Sequence, residues 1–300
     1  MKRLSALRPI RLSLVFLIAA LFLVACGEGE GGDGYGGDGG GAAASDFESG
    51  TTMAALNSAQ KITIGTKFDQ PLFGLKGLSG APSGFDVEIA KIIVGELGIP
   101  EDKITWIETP SAVREEKIAQ GAVDMIAATY TINATRKERV SFAGPYYVAG
   151  QDLMVKKDNT TITGPESLKA AKARVCSVSG STPAETIKTY IDPAQLVLFD
   201  VYSKCADGLR TGQVDVVTTD NVILLGLIDK SGGAFKLVGK QFTQEPYGIG
   251  IKKGDVKFCE FIDSVLGKAA SDGRYQAAWD KTAGKVAGAA PAPPAADPCS

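Results

Sequence analysis

Histidine is absent from all 300 residues, which removes His-assisted nucleophiles, imidazole general bases and His-ligated metals together. Chemistry is left to carboxylates, Lys, Arg, Tyr, hydroxyls and five cysteines. No two cysteines stand in C-x-x-C or C-x-x-x-C spacing, so no metal site is expected. Fixed charges suit another task. Binding needs no proton shuttle, only a partner for each charge drawn out of water, because a buried unpaired charge is costly. Thr182 is followed by Pro183 and, three residues on, by Glu185. That capping-box pattern predicts a helix with Thr182 as its N-cap and Pro183 first, its free N–H groups facing an anion.

Composition limits what can hold these groups. With 44% hydrophobic and 22% charged residues, the chain can bury a sizeable core, and its length suggests two domains. The net charge of −2, with no basic block in the interior, argues against a nucleic-acid partner.

The N-terminus reads as a targeting segment rather than part of the fold. Lys2, Arg3, Arg8 and Arg11 precede an apolar run from Leu12 to Ala25, too short to span a bilayer comfortably as a helix. The run ends in Leu23-Val24-Ala25-Cys26, which resembles the bacterial lipobox, whose cysteine is lipidated and becomes the first residue after cleavage. From Gly27 to Gly41, ten of fifteen residues are Gly, a composition that cannot offset its ordering entropy and predicts a spacer. Residues 1–25 are therefore expected to be a signal peptide and residues 26–56 a lipidated cysteine with its tether. The mature protein would hang outside the cytoplasm, anchored to the outer face of the cell membrane.

In that oxidising compartment Cys176, Cys205, Cys259 and Cys299 form an even set. Three pairings are open. Cys176 with Cys205 is favoured, because one ends a strand-like run and the other opens a helix-like run nearby. Closing that loop would contribute roughly 3 to 4 kcal/mol on the chain-entropy account. Cys259 with Cys299 would then pin the Ala/Pro-rich tail, residues 283–300, onto the last helices.

Between spacer and tail the pattern alternates. Lys61–Thr66 reads as a strand, followed by a helix from Gly84 to Val94 in which Phe85, Ile89, Ile92 and Ile93 recur at helical spacing. Asp86 and Glu88 fall in its first turn, where the helix dipole favours anions. Ile104–Ile107 is a strand, Ser111–Gln120 a helix and Val123–Ala128 a buried strand. The recipe then restarts with strands at Gln151–Lys156 and Arg174–Val178, a helix at Leu168–Ala173 between them, and a further helix after Gly180. Val197–Phe199, a helix around Ala206–Arg210 and the strand Val214–Thr218 continue it, and Pro246–Ile251 looks like a strand returning to the first lobe. Periodicity thus predicts two α/β lobes with parallel sheets in crossover units.

Gly84-Phe85-Asp86-Val87-Glu88-Ile89-Ala90, Gly121-Ala122-Val123-Asp124, Thr129-Tyr130-Thr131-Ile132 with Arg136, and Val140 to Tyr147 occur in that order. With Gly180-Ser181-Thr182, Asp215 to Asp220 and Tyr247-Gly248-Ile249-Gly250, the set resembles the polar-amino-acid solute-binding proteins (family 3) of ABC importers over about residues 57 to 282. It is most similar to the lipid-anchored glutamate-binding proteins of actinobacteria, notably in Gly65 to Pro71 and Cys176 to Ala184. The resemblance implies a two-lobed, periplasmic-binding-protein-like (type II) α/β fold with two hinge crossovers. Lobe one would comprise residues 57–149 with 246–282, and lobe two residues 150–245.

The resemblance also implies the ligand set. Arg136 would clamp the α-carboxylate, aided from the other lobe by Ser181 and Thr182 at the helix start. Asp220, the Thr131 hydroxyl and a backbone carbonyl near Thr129 would hold the ammonium. Relatives that bind basic amino acids tend to carry Asp where Lys67 stands, and the reversed sign favours an acidic side chain; Arg114 supplies a second cation. Phe68, Phe73 and Tyr147 are candidate pocket walls. The expected ligand is glutamate, with aspartate and glutamine next; the expected partners are ABC permease subunits and, through the lipid, the membrane. A monomer with no cofactor and no catalysis is expected, the alternatives on the same fold being a periplasmic-type dehydratase or a sensor domain.

Overall fold

The computed structural model describes residues 47–300; the expected signal peptide, the lipidated Cys26 and the glycine-rich run lie outside them. In chain order the strands are β1 (Ile62–Thr66), β2 (Asp69–Gln70), β3 (Gly74–Leu75), β4 (Ile104–Glu108), β5 (Met125–Ile126), β6 (Val140–Ala149), β7 (Gln151–Lys156), β8 (Val175–Val178), β9 (Leu196–Phe199), β10 (Val216–Asp220), β11 (Phe235–Leu237) and β12 (Glu245–Lys252). Two five-stranded sheets result, in the orders β4-β1-β5-β12-β6 and β11-β7-β10-β8-β9, with β2 and β3 as a separate small pair. Each sheet is the centre of one lobe.

The sheets are mixed rather than parallel. Strands β1, β4 and β5 run parallel, as do β8, β9 and β10. Strand β12 is antiparallel to β5 and β6, and β7 is antiparallel to β10 and β11. The cause is the way the chain changes lobe. Strands β6 and β7 are separated by Gly150 alone, and β12 starts at Glu245 opposite Ala149, so the two crossovers lie side by side and enter each sheet against its parallel strands. A Cβ on Gly150 would stand 3.0 Å from the backbone oxygen of Thr243, a tight approach between the two crossovers.

The lobes are packed differently. The first holds a cluster of Phe73, Phe85, Tyr146, Tyr147, Tyr247 and Trp279, with Phe85 and Trp279 edge to face at 5.1 Å and Tyr147 stacked on Trp279 at 5.3 Å. Phe73 is therefore core, fully buried, and the expectation that it walls a pocket is corrected; Tyr147 belongs to the same cluster, and Phe68 lies under the Lys76 ammonium. The second lobe is mainly aliphatic, with Tyr202 and Phe235 buried in one layer, and its strands divide with the two-residue period of a sheet. Met154 and Val217 face one core, Leu153, Val155 and Val216 the other.

The folded body begins earlier than expected. Phe47 packs edge to face on Phe261 at 5.6 Å, and the helix Thr52–Ala59, capped by Thr51, buries Met53 and Leu56. Those apolar side chains offset the cost of ordering residues that composition assigned to the tether. At the other end, Cys259 is bonded to Cys299 and Cys176 to Cys205. The Ala/Pro-rich tail lies against the first lobe, with Asp297 N–H donating to Gly144 O at 2.7 Å and Ser141 Oγ to Ser300 O at 2.6 Å. Among the described residues, no helix is long and apolar enough to cross a membrane.

Candidate functional site

The chemistry-bearing residues gather where parallel strands end. In open α/β sheets the carboxyl ends of the strands, where successive loops diverge, form the natural crevice. Lys67 follows β1, Arg114 follows β4 through a single 3₁₀ turn, and Thr129, Thr131 and Arg136 follow β5. From the second lobe, Ser181 and Thr182 follow β8 and Asp220 closes β10. The facing ends close on a cavity of only about 10 Å³ lined by Ser111, Arg114, Thr129, Thr131, Ser181, Thr182, Tyr202 and Asp220, among others.

Arg136 sits in the short helix Ala134–Lys137, whose cap Asn133 accepts its backbone N–H at 2.9 Å. It is 7% exposed. Its guanidinium donates to Thr131 O at 2.7 Å and, across the cleft, to Gly180 O at 3.1 Å, while Nε lies 3.3 Å from the Glu115 carboxylate. Burial, followed by the repulsion of Arg114, pulls its pKa down to about 10. Arg114 donates to Ala128 O at 2.9 Å and covers the Tyr130 ring at 4.1 Å; Arg136 lies 5.2 Å from the same ring. Tyr130 thus shares its π-face with two guanidiniums, a favourable arrangement for cations stripped of water. Its neighbour in charge, Lys67, is buried and donates to Ser111 Oγ at 2.9 Å. Burial first, then Arg114, lowers its pKa to about 7. Among the described residues, neither Lys67 nor Arg114 has a carboxylate within ion-pair distance; each donates to neutral oxygens.

Two acids answer them. Asp220 accepts from Tyr247 O–H at 2.6 Å through one oxygen, and its other oxygen, Oδ1, is buried without a hydrogen-bond partner. Burial and then Glu245 push its pKa up to about 7. Asp86 is fully buried and accepts from Tyr146 O–H at 2.6 Å and Thr129 N–H at 2.7 Å, with burial again raising its pKa to about 7. The Thr129 contact has a purpose. Thr129 has φ +44°, a conformation that costs a β-branched residue energy and persists only where its surroundings enforce it. Asp86 and Gln70, which accepts from Thr129 Oγ1 at 3.0 Å, supply that enforcement.

Thr131, Thr129, Asp220, Thr182, Ser181 and Arg114 are brought together around the cavity. Lys67 and Arg136 stand one residue behind its lining, reaching it through Ser111 and Thr131. The capping expectation is corrected by one residue. Ser181 is the N-cap, accepting Ala184 N–H at 3.1 Å, and the helix runs Thr182–Thr186. Ser181 has the extended backbone a cap requires, which frees Thr182 Oγ1 to donate to Glu245 Oε2 at 2.6 Å and to approach Thr131 Oγ1 at 3.3 Å. Pro183 follows within the first turn.

Asp86, Gln70, Glu115, Tyr130, Ser111 and Glu245 are parts of the site that sequence reasoning missed. For Asp86 a signal existed: it lies four and seven residues before Ala90 and Ile93, on the buried face of its helix, and an acid on an apolar stripe demands partners. Glu245 carries no such local mark.

Residues 62–285 match the model of the bacterial extracellular solute-binding proteins, family 3. The glutamate-binding protein GluB of Corynebacterium efficiens is 39% identical over 268 residues, covering 86% of this chain and 85% of that one. The ABC transporter glutamine-binding protein GlnH of Bacillus subtilis is 38% identical, covering 90% and 95%. Among solved structures, an ancestral arginine-binding protein bound to glutamine superimposes with a TM-score of 0.69 at 32% identity, covering 74% of this chain and 97% of its own.

Proposed function

This chain belongs to the bacterial extracellular solute-binding proteins, family 3, and on that premise we propose that it captures glutamate between its lobes and delivers it to the permease of an ABC importer. It is a binding protein rather than an enzyme, as its similar relatives are. In this reading the α-carboxylate exchanges with the Gly180 carbonyl for the Arg136 fork and takes N–H groups near Ser181 and Thr182. The ammonium meets Asp220, Thr131 Oγ1 and the Thr129 carbonyl. Ligand then bridges both lobes and shifts the hinge equilibrium toward closed.

One observation carries the choice of ligand: Lys67 and Arg114 are buried cations that donate to neutral oxygens. An acidic side chain supplies the missing counter-charge and restores full charge to Lys67, whereas the glutamine amide does neither. Lipid attachment at Cys26, a tether beyond it and a monomeric body complete the proposal, with lobe one over residues 57–149 and 246–282, lobe two over 150–245 and the earlier residues from Phe47 joined to lobe one. Calorimetric titration with each amino acid at pH 7 tests the ligand. Glutamate is expected to bind tightest; a clear preference for glutamine would overturn the acidic reading while leaving the amino-acid site intact.

A further inference from the structure

The loop that carries Lys67 also reaches the other lobe. Asp69, two residues on, places Oδ2 2.7 Å from Tyr202 N and 3.2 Å from Ser203 N. These are the first amides of the ten-residue helix Tyr202–Thr211. That helix has no cap of its own: its N-cap residue is Val201, which carries no acceptor, and its first turn holds no acid. Orphan N–H groups at a helix start need an oxygen, and a carboxylate there also meets the positive end of the dipole. Tyr202 lines the cavity and Cys205, one turn on, is tied to Cys176, so this helix is rigidly joined to the second lobe's half of the site. Beside it the same seam is closely fitted. A Cβ on Gly226 would lie 2.4 Å from Pro71 O, so the helix Asn221–Lys230 meets the loop after Asp69 with room for a hydrogen only.

We propose that Asp69 is a positioning residue for ligand capture: it is the N-cap of a helix in the opposite lobe, supplied only when the lobes close, and it holds the cleft shut on the ligand without touching it. The proposal rests on the ligand-driven closure read above. With the lobes apart, Tyr202 and Ser203 amides turn to water and the cap is lost; with the lobes together, one carboxylate satisfies both. Contacts made only after closure slow the escape of ligand and leave encounter unaffected.

In the full chain, Asp69→Ala is expected to weaken glutamate binding about fivefold, the usual worth of an N-cap, with the change in the dissociation rate. Asp69→Asn retains a capping oxygen and is expected to bind within about twofold of wild type. Val201→Asp discriminates a latch from a merely structural contact. It gives the helix a cap that persists in the open state, so the melting temperature holds or rises while binding weakens. Equal dissociation rates for wild type and Asp69→Ala, or tighter binding by Val201→Asp, would overturn the proposal. If wild type binds no amino acid, the ligand reading fails by itself. Small-angle scattering of the ligand-free chain then decides: expansion in Asp69→Ala supports the latch and an unchanged radius of gyration overturns it.

Discussion

Lys67, Arg114 and Arg136 all rise from the strand ends of the first sheet, whereas the second sheet meets them with Asp220 and the hydroxyls of Ser181 and Thr182. The supports differ as well. Arg114 and Arg136 lie over the Tyr130 ring, and each of the three cations is already fixed by hydrogen bonds to its own lobe. The second wall rests on aliphatic layers tied by a disulfide. On the function proposed above, one lobe recognises charge and holds it still, at the cost of crowding like charges, and the other arrives as a unit, so selectivity and closure should be separable by mutation.

The strongest way to break the comparison is to loosen the lobe that moves. Cys176→Ser with Cys205→Ser reopens a 29-residue loop and is expected to cost roughly 3 to 4 kcal/mol of stability. Calorimetric melting checks it, and hydrogen exchange should place the loss in the second lobe. Next is the recognising wall. Arg136→Ala is expected to lower glutamate affinity by at least about tenfold, the loss of charge-assisted bonds, without unfolding the chain; unchanged titration heats would remove Arg136 from the site.

A pH series sharpens the contrast further. Lys67 titrates near 7 in the absence of ligand, and a bound carboxylate favours its charged form and raises its pKa. Glutamate binding then takes up a proton above pH 7, and affinity falls as pH rises, by up to about tenfold per unit. Asp220 also titrates near 7; a bound ammonium lowers its pKa, so any amino acid binds more weakly as pH falls below 7. Glutamate affinity should peak near neutrality, while glutamine should show only the acid limb, and Lys67→Met should flatten glutamate's alkaline limb. The smallest effect is expected at the bridging hydroxyl. Thr182→Val loses one hydrogen bond to Glu245 and should weaken binding by about fivefold, read as a faster dissociation rate.

Local signals carried much of this. Apolar runs of four to six residues marked most strands, and the polar residues at their ends marked the candidate wall. What stayed hidden depends on distant partners. Asp86 reads locally as a first-turn acid, yet its oxygens are taken by Tyr146 and Thr129, 60 and 43 positions away. Ser181 and Thr182 are both good capping types, and only the backbone shows that Ser181 takes the extended cap conformation while Thr182 donates to the distant Glu245. Parallel sheets follow from alternating elements, but the antiparallel entry of β12 is decided by how the chain returns between lobes. The helix Thr52–Ala59 was masked by its glycine-rich neighbourhood, because its apolar face is short and its partner is the helix Val256–Ser271.

That early helix has a mechanical consequence. Phe47 and the residues after it are stitched to Phe261, and Lys257 pairs with Glu48, all on the lobe that holds the cations. A pull applied at residue 47 would therefore be taken up first by that lobe. On the function proposed above, the lobe with the cations would then be the stator and the other the swinging arm.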